Sequence, residues 1–312
     1  MPQNNKTIFM QQKTNIYVII VTYNAMQWID KCIGSLQHST VPLQVIVIDN
    51  GSTDETIAHI RTHYPDVTLL AQSKNLGFGQ GNNVGIRYAL TQGATHVLLL
   101  NQDAWIEPDM VEQLLKYDDG NSLLSPIHLT GEGDRLDKNF KEHALMRANH
   151  FAQLVDDWAV GKTHKYATYE INAACWLLPV KIIREIGGFN PMFFHYAEDI
   201  NYLHRLHYHH KGVYFVPQAK AYHDRANIAQ KPLNEQYMYQ QMVLRMININ
   251  DSWCVANARK WRFALSILRA AIRQRQCSYL PMLSNALKRI GRITQEAKTN
   301  RYTQQQIASH WI

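Results

Sequence analysis

The sequence predicts an α/β fold in which helices flank a mixed, mainly parallel sheet, followed by a helical extension at the C-terminus. Apolar, strand-like runs alternate with helical patterns over the first 125 residues, as is typical of βαβ units. Of the 312 residues 46% are apolar, so a large core is available and disorder is not expected. The pattern is helical after Arg225. We therefore predict two units, residues 14–225 and residues 226–312.

Four apolar runs are expected to form the N-terminal strands, with helices between them. The runs are residues 16–21, 45–48, 67–71 and 96–100, and the first helix is expected at 28–36. Ser52, with Glu55 three residues later, fits a capping box that starts the second helix. Residues 75–83 are rich in Gly and Asn and are expected to form a loop leading into a third helix at 84–90.

The second half of the domain has a weaker pattern. Residues 116–165 show no clear period and are expected to be variable and partly looped. Regularity returns with a strand at 171–178, a short helix at 179–186, a helix at 199–210, and short strands at 213–216 and 219–222.

Acidic residues stand where ligands of such folds are bound. Asp49 and Asp103 follow apolar strands, and ligands of open α/β sheets bind at the carboxyl ends of strands. Glu198 and Asp199 follow an aromatic patch and open a helical segment. One carboxylate could hold a metal and another accept a proton, which suits group transfer from a nucleotide diphosphate. Each acid alone also fits a structural role, as a cap or loop residue for Asp49 and Asp103 and as a helix N-terminal acid pair for the other two.

Two further features are compatible with a ligand site. The glycines of residues 75–83 permit close approach of the backbone to a ligand, although an ordinary turn is equally consistent with this segment. His223 ends a short strand and could supply a nitrogen ligand, although a strand-end histidine taken alone is more often an ordinary surface residue. A nearby group of histidines is interpreted as a solvated helix face rather than a metal site: His204, His207, His209 and His210.

The charge is concentrated at the C-terminus. The chain carries a net charge of +7, and from Val255 onward eleven Lys or Arg residues are opposed only by Glu296. Such asymmetry points to an anionic surface as partner. Amphipathic helices with arginines favour anionic lipid, and no zinc-finger, homeodomain or RNA-recognition pattern supports nucleic acid. A solvated face or an oligomer contact is the alternative.

Cysteine usage and the N-terminus indicate the compartment. The four cysteines are scattered without a CxxC pair, so no zinc site or disulfide framework is expected. The first 14 residues are polar and lack the apolar segment of a signal peptide. No apolar run approaches the ~20 residues of a membrane span. We expect a cytoplasmic protein, peripheral on the inner face of the cytoplasmic membrane.

The order of the motifs resembles the family 2 glycosyltransferases of the GT-A fold. The motifs are VTYN at 21–24, VIDNGSTD at 47–54, NLGFGQGNN at 75–83, LLNQD at 99–103, GGF at 187–189, ED at 198–199 and the segment 216–223. The set is similar to the rhamnosyltransferase-like branch of that family, which builds bacterial surface polysaccharides.

The resemblance implies a role for each matching position. Asp199 would be the catalytic base with Glu198 beside it, and Asp103 and His223 would bind a divalent cation, Mn²⁺ or Mg²⁺. Asn101 stands where the DxD motif of the family has its first acid, and Gln102 stands where this branch often has Pro. The residues expected to bind the nucleotide sugar are Thr22, Tyr23, Asn24, Asp49, Asn50, Gly77, Gly81, Asn82, Asn101 and Gln102.

The implied function is inverting transfer of a sugar from a UDP- or dTDP-sugar to a glycan or lipid-linked acceptor of a bacterial O-antigen or capsule. A hypothesis of another class is a non-catalytic, nucleotide-sugar-binding scaffold of a polysaccharide assembly complex. A nucleotidyltransferase would need a Gly-rich loop with Lys or Arg near the first strand, and residues 23–28 contain neither. Donor choice depends on pocket shape, so the sequence leaves the sugar open.

Overall fold

A computed structural model describes residues 14–145, 151–225, 234–273 and 275–312. Residues 1–13, which carry most of the polar N-terminus used in the signal-peptide argument, lie outside the described residues. So do residues 226–233, which follow the predicted domain boundary. Within the described ranges, no helix combines the length and the apolar character that crossing a membrane requires.

Strands and helices alternate up to His223, and the chain is helical from Glu235 onward. The strands are β1 (Ile16–Thr22), β2 (Leu43–Asp49), β3 (Thr68–Ala71), β4 (His96–Asn101), β5 (Ala104–Ile106), β6 (Ser122–Thr130), β7 (Tyr166–Ala167), β8 (Cys175–Pro179) and β9 (Gly212–His223). The helices are α1 (Ile29–Gln37), α2 (Thr56–His63), α3 (Phe78–Thr91), α4 (Met110–Leu115), α5 (Phe151–Ala159), α6 (Val180–Ile186), α7 (Glu198–Tyr208), α8 (Glu235–Ile247), α9 (Trp253–Arg273), α10 (Tyr279–Arg292) and α11 (Thr294–Gln305).

The strands form one mixed sheet with the order β3-β2-β1-β4-β8-β6-β9-β5, and β7 pairs with β9. Strands β1 to β4 pair in parallel with one another, and β6 pairs in parallel with β9. The remaining pairs are antiparallel. The predicted mixed sheet with flanking helices is confirmed, and the carboxyl ends of β1, β2 and β4 lie at one edge.

Both faces of the sheet are covered. Ile19 packs on the face that carries α3, α6 and α7, and its neighbours Val18 and Ile20 pack on the opposite face with α1, α2 and α4. Since successive side chains of a strand point to opposite faces, a strand buried on both sides is apolar throughout. This is why the N-terminal strands appear in the sequence as continuous apolar runs.

Two N-terminal predictions were wrong in detail. Ser52 and Glu55 do not form a capping box: the Ser52 hydroxyl donates to Asp49, and α2 begins at Thr56, whose N–H donates to Asp54 Oδ1 at 3.1 Å. Residues 75–83 are not all loop, because α3 begins at Phe78. Packing of α3 against β1 and β2 overrides the low helix propensity of its glycines and asparagines.

The segment expected to be partly looped contains the central strand β6. Pro126 lies within it, and a proline argues against a central strand because it cannot donate to the ladder. The parallel pairing of β6 with β9 shifts register between Pro126 and Ile127. On the partner strand the shift skips residues 217–219, so the predicted strands at 213–216 and 219–222 are one irregular strand.

The C-terminal helices pack on the segment that precedes α7. A third apolar cluster joins Phe193 and Ala197 to Met238 and Met242 of α8 and to residues of α9 and α10. Polar contacts add to it, because Gln304 of α11 accepts from Asn201 Nδ2 at 2.8 Å. The division at residue 225 stays a prediction, and the helical extension shares its core with residues 193–197.

Candidate active site

The predicted site residues at the N-terminal strands meet at one edge of the sheet. The parallel register sets Thr22 of β1 opposite Asp49 of β2 and Val21 opposite Asn101 of β4. Thr22 and Asp49 are buried. The three strands therefore bring side chains from distant sequence positions to the edge where α/β sheets bind ligands.

The Asp49 carboxylate accepts four hydrogen bonds from β1 and from the loop that follows β2. Its Oδ1 accepts from the hydroxyls of Thr22 at 3.0 Å and Ser52 at 2.5 Å. Its Oδ2 accepts from the N–H groups of Gly51 at 3.1 Å and Ser52 at 2.9 Å. The carboxylate thus organises the loop between β2 and α2. Its predicted contact with a nucleotide base stays a prediction.

The backbone of Tyr23 is held by the side chain of Gln102. Its N–H donates to Gln102 Oε1 at 2.7 Å, and Gln102 Nε2 donates back to the Tyr23 carbonyl at 3.3 Å. Asn24, at a φ of 51°, accepts from Thr53 N–H at 2.8 Å. The Tyr23 side chain itself is 46% exposed. An exposed aromatic ring on an anchored backbone is a suitable surface for stacking a planar ligand.

The start of α3 packs closely against its neighbours. Asn50 Nδ2 donates to the Gly77 carbonyl at 3.1 Å. A Cβ on Gly77 would lie 1.9 Å from the Phe194 carbonyl oxygen, and one on Gly81 would lie 2.8 Å from Val21 Cγ1. Asn82 is buried and donates to the Phe78 carbonyl at 3.0 Å. The predicted donor-site wall therefore contacts both β1 and the segment before α7.

Asp103 and His223 are brought together by antiparallel pairing. Ala104 of β5 stands opposite His223 of β9, and Asp224 N–H donates to the Asp103 carbonyl at 2.9 Å. As a result Asp103 Oδ1 lies 3.3 Å from His223 Nε2. Asn101 Nδ2 lies 3.5 Å from the same nitrogen.

This group of side chains fits a divalent cation that the donor completes. A carboxylate oxygen is a suitable donor for Mn²⁺, and a neutral imidazole nitrogen is a common metal ligand. Asn101 Oδ1 and His223 Nδ1 are buried and have no hydrogen-bond partner among the described residues. The described part of the chain contains no cluster of three His, Cys, Asp or Glu side chains able to hold a metal alone. Mg²⁺ and Mn²⁺ sites of this kind take their remaining ligands from phosphate and water.

The acid pair follows two residues in an unusual backbone conformation. Tyr196 and Ala197 have φ values of 72° and 73°, in the left-handed region that side chains with a Cβ disfavour. Gln240 of α8 is buried beside them. With its amide oriented to satisfy both polar atoms, it donates to the Tyr196 and His195 carbonyls and accepts from Phe194 N–H at 3.1 Å. The helical extension thus helps to hold this conformation.

Burial changes the titration of the acid pair. Glu198 is 5% exposed, and burial, with a smaller contribution from the charge of Asp199, raises its pKa to about 8. Burial also raises the pKa of Asp199. Glu198 Oε2 has no hydrogen-bond partner among the described residues. Both acids line a cleft of about 630 Å³ that also contacts α8 and α9, so their protons can exchange with a bound molecule.

Stability is therefore expected to depend on pH through Glu198. A glutamate in the unfolded chain loses its proton near pH 4.5, whereas the folded chain keeps the Glu198 proton up to about pH 8. The folded state binds more protons in this window, so the free energy of unfolding falls as pH rises through it, by up to about 1.4 kcal/mol per pH unit. Urea unfolding between roughly pH 5 and pH 8, the range between the unfolded and folded pKa values of Glu198, measures this slope. Glu198→Gln should flatten it, and an unchanged slope in that variant would contradict the assignment.

The sequence did not identify three residues around the site. His128 of β6 lies beside His223, with 6.4 Å between ring centroids, and burial lowers its pKa to about 3, so it is neutral at physiological pH. It falls in the segment expected to be looped. Trp28 Nε1 donates to Asp224 Oδ2 at 3.1 Å. The one sequence feature that could have pointed to this contact is the His-Asp pair at 223–224. Nothing in the sequence pointed to Gln240.

A family model matches the N-terminal part of this chain. Residues 17–165 match the family described as Glycosyl transferase family 2. The matched range contains β1 to β6 and ends before the acid pair at the start of α7.

Curated relatives are similar over a larger part of the chain. The low-salt glycan biosynthesis hexosyltransferase Agl10 of Haloferax volcanii is 27% identical over 199 residues, which cover 61% of each chain. The N-acetylglucosaminyl-diphospho-decaprenol L-rhamnosyltransferase of Mycobacterium tuberculosis is 26% identical over 236 residues, covering 67% of this chain and 76% of the relative. The match to the first of these therefore spans about three-fifths of that relative's length.

Solved structures share the fold over almost the whole chain. TarS 1–349 of S. aureus in complex with UDP-GlcNAc has a TM-score of 0.61 at 14% identity, with 94% of this chain and 89% of that chain covered. The mannosyltransferase PcManGT of Pyrobaculum calidifontis, in complex with GDP-Man and Mn²⁺, has a TM-score of 0.55 at 16% identity, with 93% and 86% covered. The fold is thus GT-A with additional C-terminal helices.

Proposed function

Residues 17–165 match the family 2 glycosyltransferases, and on that premise we propose that the chain transfers a sugar from a nucleotide diphosphate to a hydroxyl of a glycan or lipid-linked acceptor. One observation carries the proposal. The start of α3 contacts Asn50 at the sheet edge through the Gly77 carbonyl and approaches the Phe194 carbonyl before the acid pair. A donor at the edge and an acceptor in the cleft would therefore share one wall.

The donor is proposed to bind at the carboxyl ends of β1, β2 and β4. The exposed Tyr23 ring would stack on the base, and UDP and dTDP are the nucleotides we propose. Thr22, Asn24 and Asp49 would shape the base site through the hydrogen bonds they make in the β2–α2 loop. Gly77, Gly81 and Asn82 would form the wall beside the sugar.

Asp103 and His223 are proposed to hold a divalent cation, with Asn101 beside them. When bound, this cation supplies positive charge to the departing nucleotide diphosphate. Gln102 would keep Tyr23 in place through the reciprocal hydrogen bonds described above. The two protein ligands would leave room for diphosphate oxygens and water.

Asp199 is proposed as the base of a single inverting displacement. It would accept the proton of the acceptor hydroxyl while that oxygen attacks the anomeric carbon and the bond to the diphosphate breaks. Burial raises the pKa of Asp199, which makes its carboxylate a stronger base. Glu198, with a pKa of about 8, is mostly protonated at neutral pH. It would limit the charge repulsion that ionised Asp199 experiences.

The proposed acceptor and the proposed cellular location both rest on the similarity to family 2 glycosyltransferases. The name of the M. tuberculosis relative describes a lipid-linked acceptor and a rhamnosyl donor. We propose a lipid-linked or growing glycan of a bacterial surface polysaccharide as the acceptor here, used at the cytoplasmic face of the membrane. The basic C-terminal helices support a peripheral membrane location through their charge.

A panel of nucleotide sugars in a thermal-shift assay, with and without Mn²⁺, tests this function. A ligand that binds only the folded chain raises the melting temperature. At a hundredfold excess over its Kd it adds about 2.7 kcal/mol to the free energy of unfolding. We expect one UDP- or dTDP-sugar to give a shift that Mn²⁺ increases. Asp103→Asn should abolish the Mn²⁺-dependent part and keep a smaller metal-free shift. Absence of a shift with every donor, and with UDP and dTDP, would contradict the proposal, whereas binding without transfer or hydrolysis would favour the scaffold.

A further inference from the structure

Helix α9 carries an exposed apolar stripe, formed by Trp261, Leu265, Leu268 and Ile272. Their side chains are 53%, 49%, 37% and 70% exposed. The spacing of four, three and four residues places them along one side of the helix. With a rise of 1.5 Å per residue, the stripe is about 16 Å long. Exposed large apolar residues are common singly, but an aligned set marks an interaction surface.

The stripe is distinct from the face that packs α9 onto the protein. The inward face consists mostly of small residues, with Ala256, Ala264, Ile267 and Ala271 buried. That face contacts α8 and α10 through the third apolar cluster. The stripe therefore lies largely outside the packed face of α9, and its exposure requires another explanation.

Positive charge accompanies the stripe. The 21 residues of α9 include five Lys or Arg and no Asp or Glu. Arg262, Arg269 and Arg273 are exposed, and none of them forms an ion pair with another described residue. Each of these arginines follows a stripe residue by one position, and since one residue turns the helix by about 100°, they lie roughly a right angle away from the stripe around the helix axis. Apolar side chains beside unpaired arginines are the composition of helices that lie in the interface of anionic membranes.

We propose that α9 docks in the plane of an anionic lipid bilayer, with the stripe inserted among the acyl chains and the arginines on the lipid phosphates. The proposal rests on the proposed function, because it identifies how the enzyme would reach a lipid-linked acceptor. The same helix supplies Arg259 to the cleft that Glu198 and Asp199 line. A docked α9 would thus hold the acceptor cleft close to the membrane surface.

Like-charge repulsion favours lipid over a second copy of the chain as the partner of the stripe. An isologous dimer through the stripe would bring the unopposed arginines of two α9 helices together, which like-charge repulsion disfavours. A second group of exposed apolar side chains occurs at Trp158 and Val160, at the end of α5. It lies beside Asp156 and Asp157 and has no flanking arginine. It offers a control for apolar exposure at a site where Asp156 and Asp157 offset the nearby Lys162.

Cosedimentation of the full chain with vesicles tests the proposal. We expect binding to phosphatidylcholine vesicles that contain phosphatidylglycerol, and much weaker binding to pure phosphatidylcholine. The triple substitution Leu265→Gln, Leu268→Gln and Ile272→Gln should weaken binding by at least about tenfold, since each residue loses much of its transfer free energy. The double substitution Trp158→Gln and Val160→Gln should leave binding unchanged. Equal binding by the triple variant and the wild type would overturn the proposal.

A charge variant gives a second, independent test. Arg262→Gln, Arg269→Gln and Arg273→Gln together should reduce binding to the anionic vesicles and leave the weak binding to phosphatidylcholine unaltered. Wild-type binding should also fall as added salt shortens the Debye length from about 10 Å at 0.1 M to about 3 Å at 1 M. Light scattering without lipid completes the test. A wild-type dimer that the triple apolar variant converts to monomers would overturn the proposal in favour of a second copy of the chain.

The vesicle-binding result can be told apart from the donor-binding result that tests the proposed function. The triple apolar variant should keep the donor- and Mn²⁺-dependent thermal shift of the wild type, because the stripe lies outside the strand-end site. Membrane binding without any donor shift would support the docking surface and contradict the glycosyltransferase site. A donor-induced thermal shift without vesicle binding would support the glycosyltransferase site and contradict the docking surface.

Discussion

Asp199→Asn is expected to reduce sugar transfer by about 10²- to 10⁴-fold, the range that a positioned general base contributes. An amide keeps the size of the side chain and its backbone hydrogen bond from Ile200 N–H at 2.8 Å, but it cannot accept the acceptor proton. The variant should bind the donor as tightly as the wild type, because Asp199 lines the cleft and not the strand-end site. Steady-state kinetics with the donor from the thermal-shift panel gives kcat, and the melting-temperature shift gives binding.

Glu198→Gln is the matched control for this experiment. Glu198 has a pKa of about 8, so glutamine resembles the protonated form that dominates at neutral pH. We expect its activity near pH 7 to stay within a few-fold of wild type, by roughly the protonated fraction at that pH. If Glu198→Gln abolishes transfer and Asp199→Asn retains it, the two roles are exchanged. Full activity in both variants would remove the acid pair from the mechanism.

Gly77→Ala is expected to have the largest effect on stability. Gly77 has a φ of 80°, and an added Cβ would lie 1.9 Å from the Phe194 carbonyl oxygen and 2.9 Å from its carbon. Backbone atoms on both sides must move, and the φ of 80° and ψ of 171° at Gly77 lie in a region that essentially only glycine occupies. We expect a loss of about 3 kcal/mol or more in the free energy of unfolding, together with loss of donor binding.

Gly93→Ala is the control for a positive φ without a steric clash. Gly93 also has a positive φ, 72°, but a Cβ there meets nothing within 4 Å. It should lose only about 1–2 kcal/mol and keep the donor-induced thermal shift. Urea denaturation of both variants measures the difference. Equal losses at the two positions would show that the start of α3 does not press on the segment before α7.

Residues on the N-terminal strands were predictable because their signal is local. A strand buried on both faces must be apolar throughout, as β1 and β4 are, and a parallel sheet places the ends of neighbouring strands at one edge. Thr22, Asp49 and Asn101 follow from these two rules. The motif order added the resemblance to a family; a model of that family matches residues 17–165, and the solved neighbours show the GT-A fold.

Segments that depend on irregular pairing were not predictable. Strand β6 contains Pro126, and β9 is interrupted in register at residues 217–219. Strand β6 is held by pairing with β8 and β9, and β9 also pairs with β5 and β7, across more than 40 residues of sequence. His128 was missed for the same reason. Ser52 and Glu55 show the converse error, since a local capping pattern lost Ser52 to the buried carboxylate of Asp49.

The sequence by itself determined the α/β class, the resemblance to a family, the strand-end acids and the charge of the C-terminal helices, because apolar period, motif order and composition are written in consecutive residues. Only the tertiary structure decided that Asp103 meets His223, that Gln240 holds the residues before Glu198, and that the apolar stripe of α9 faces outward. These facts depend on pairing and packing between residues that are up to 120 positions apart. A helix pattern shows that α9 has an apolar side, but only its packed neighbours determine which apolar side is left exposed.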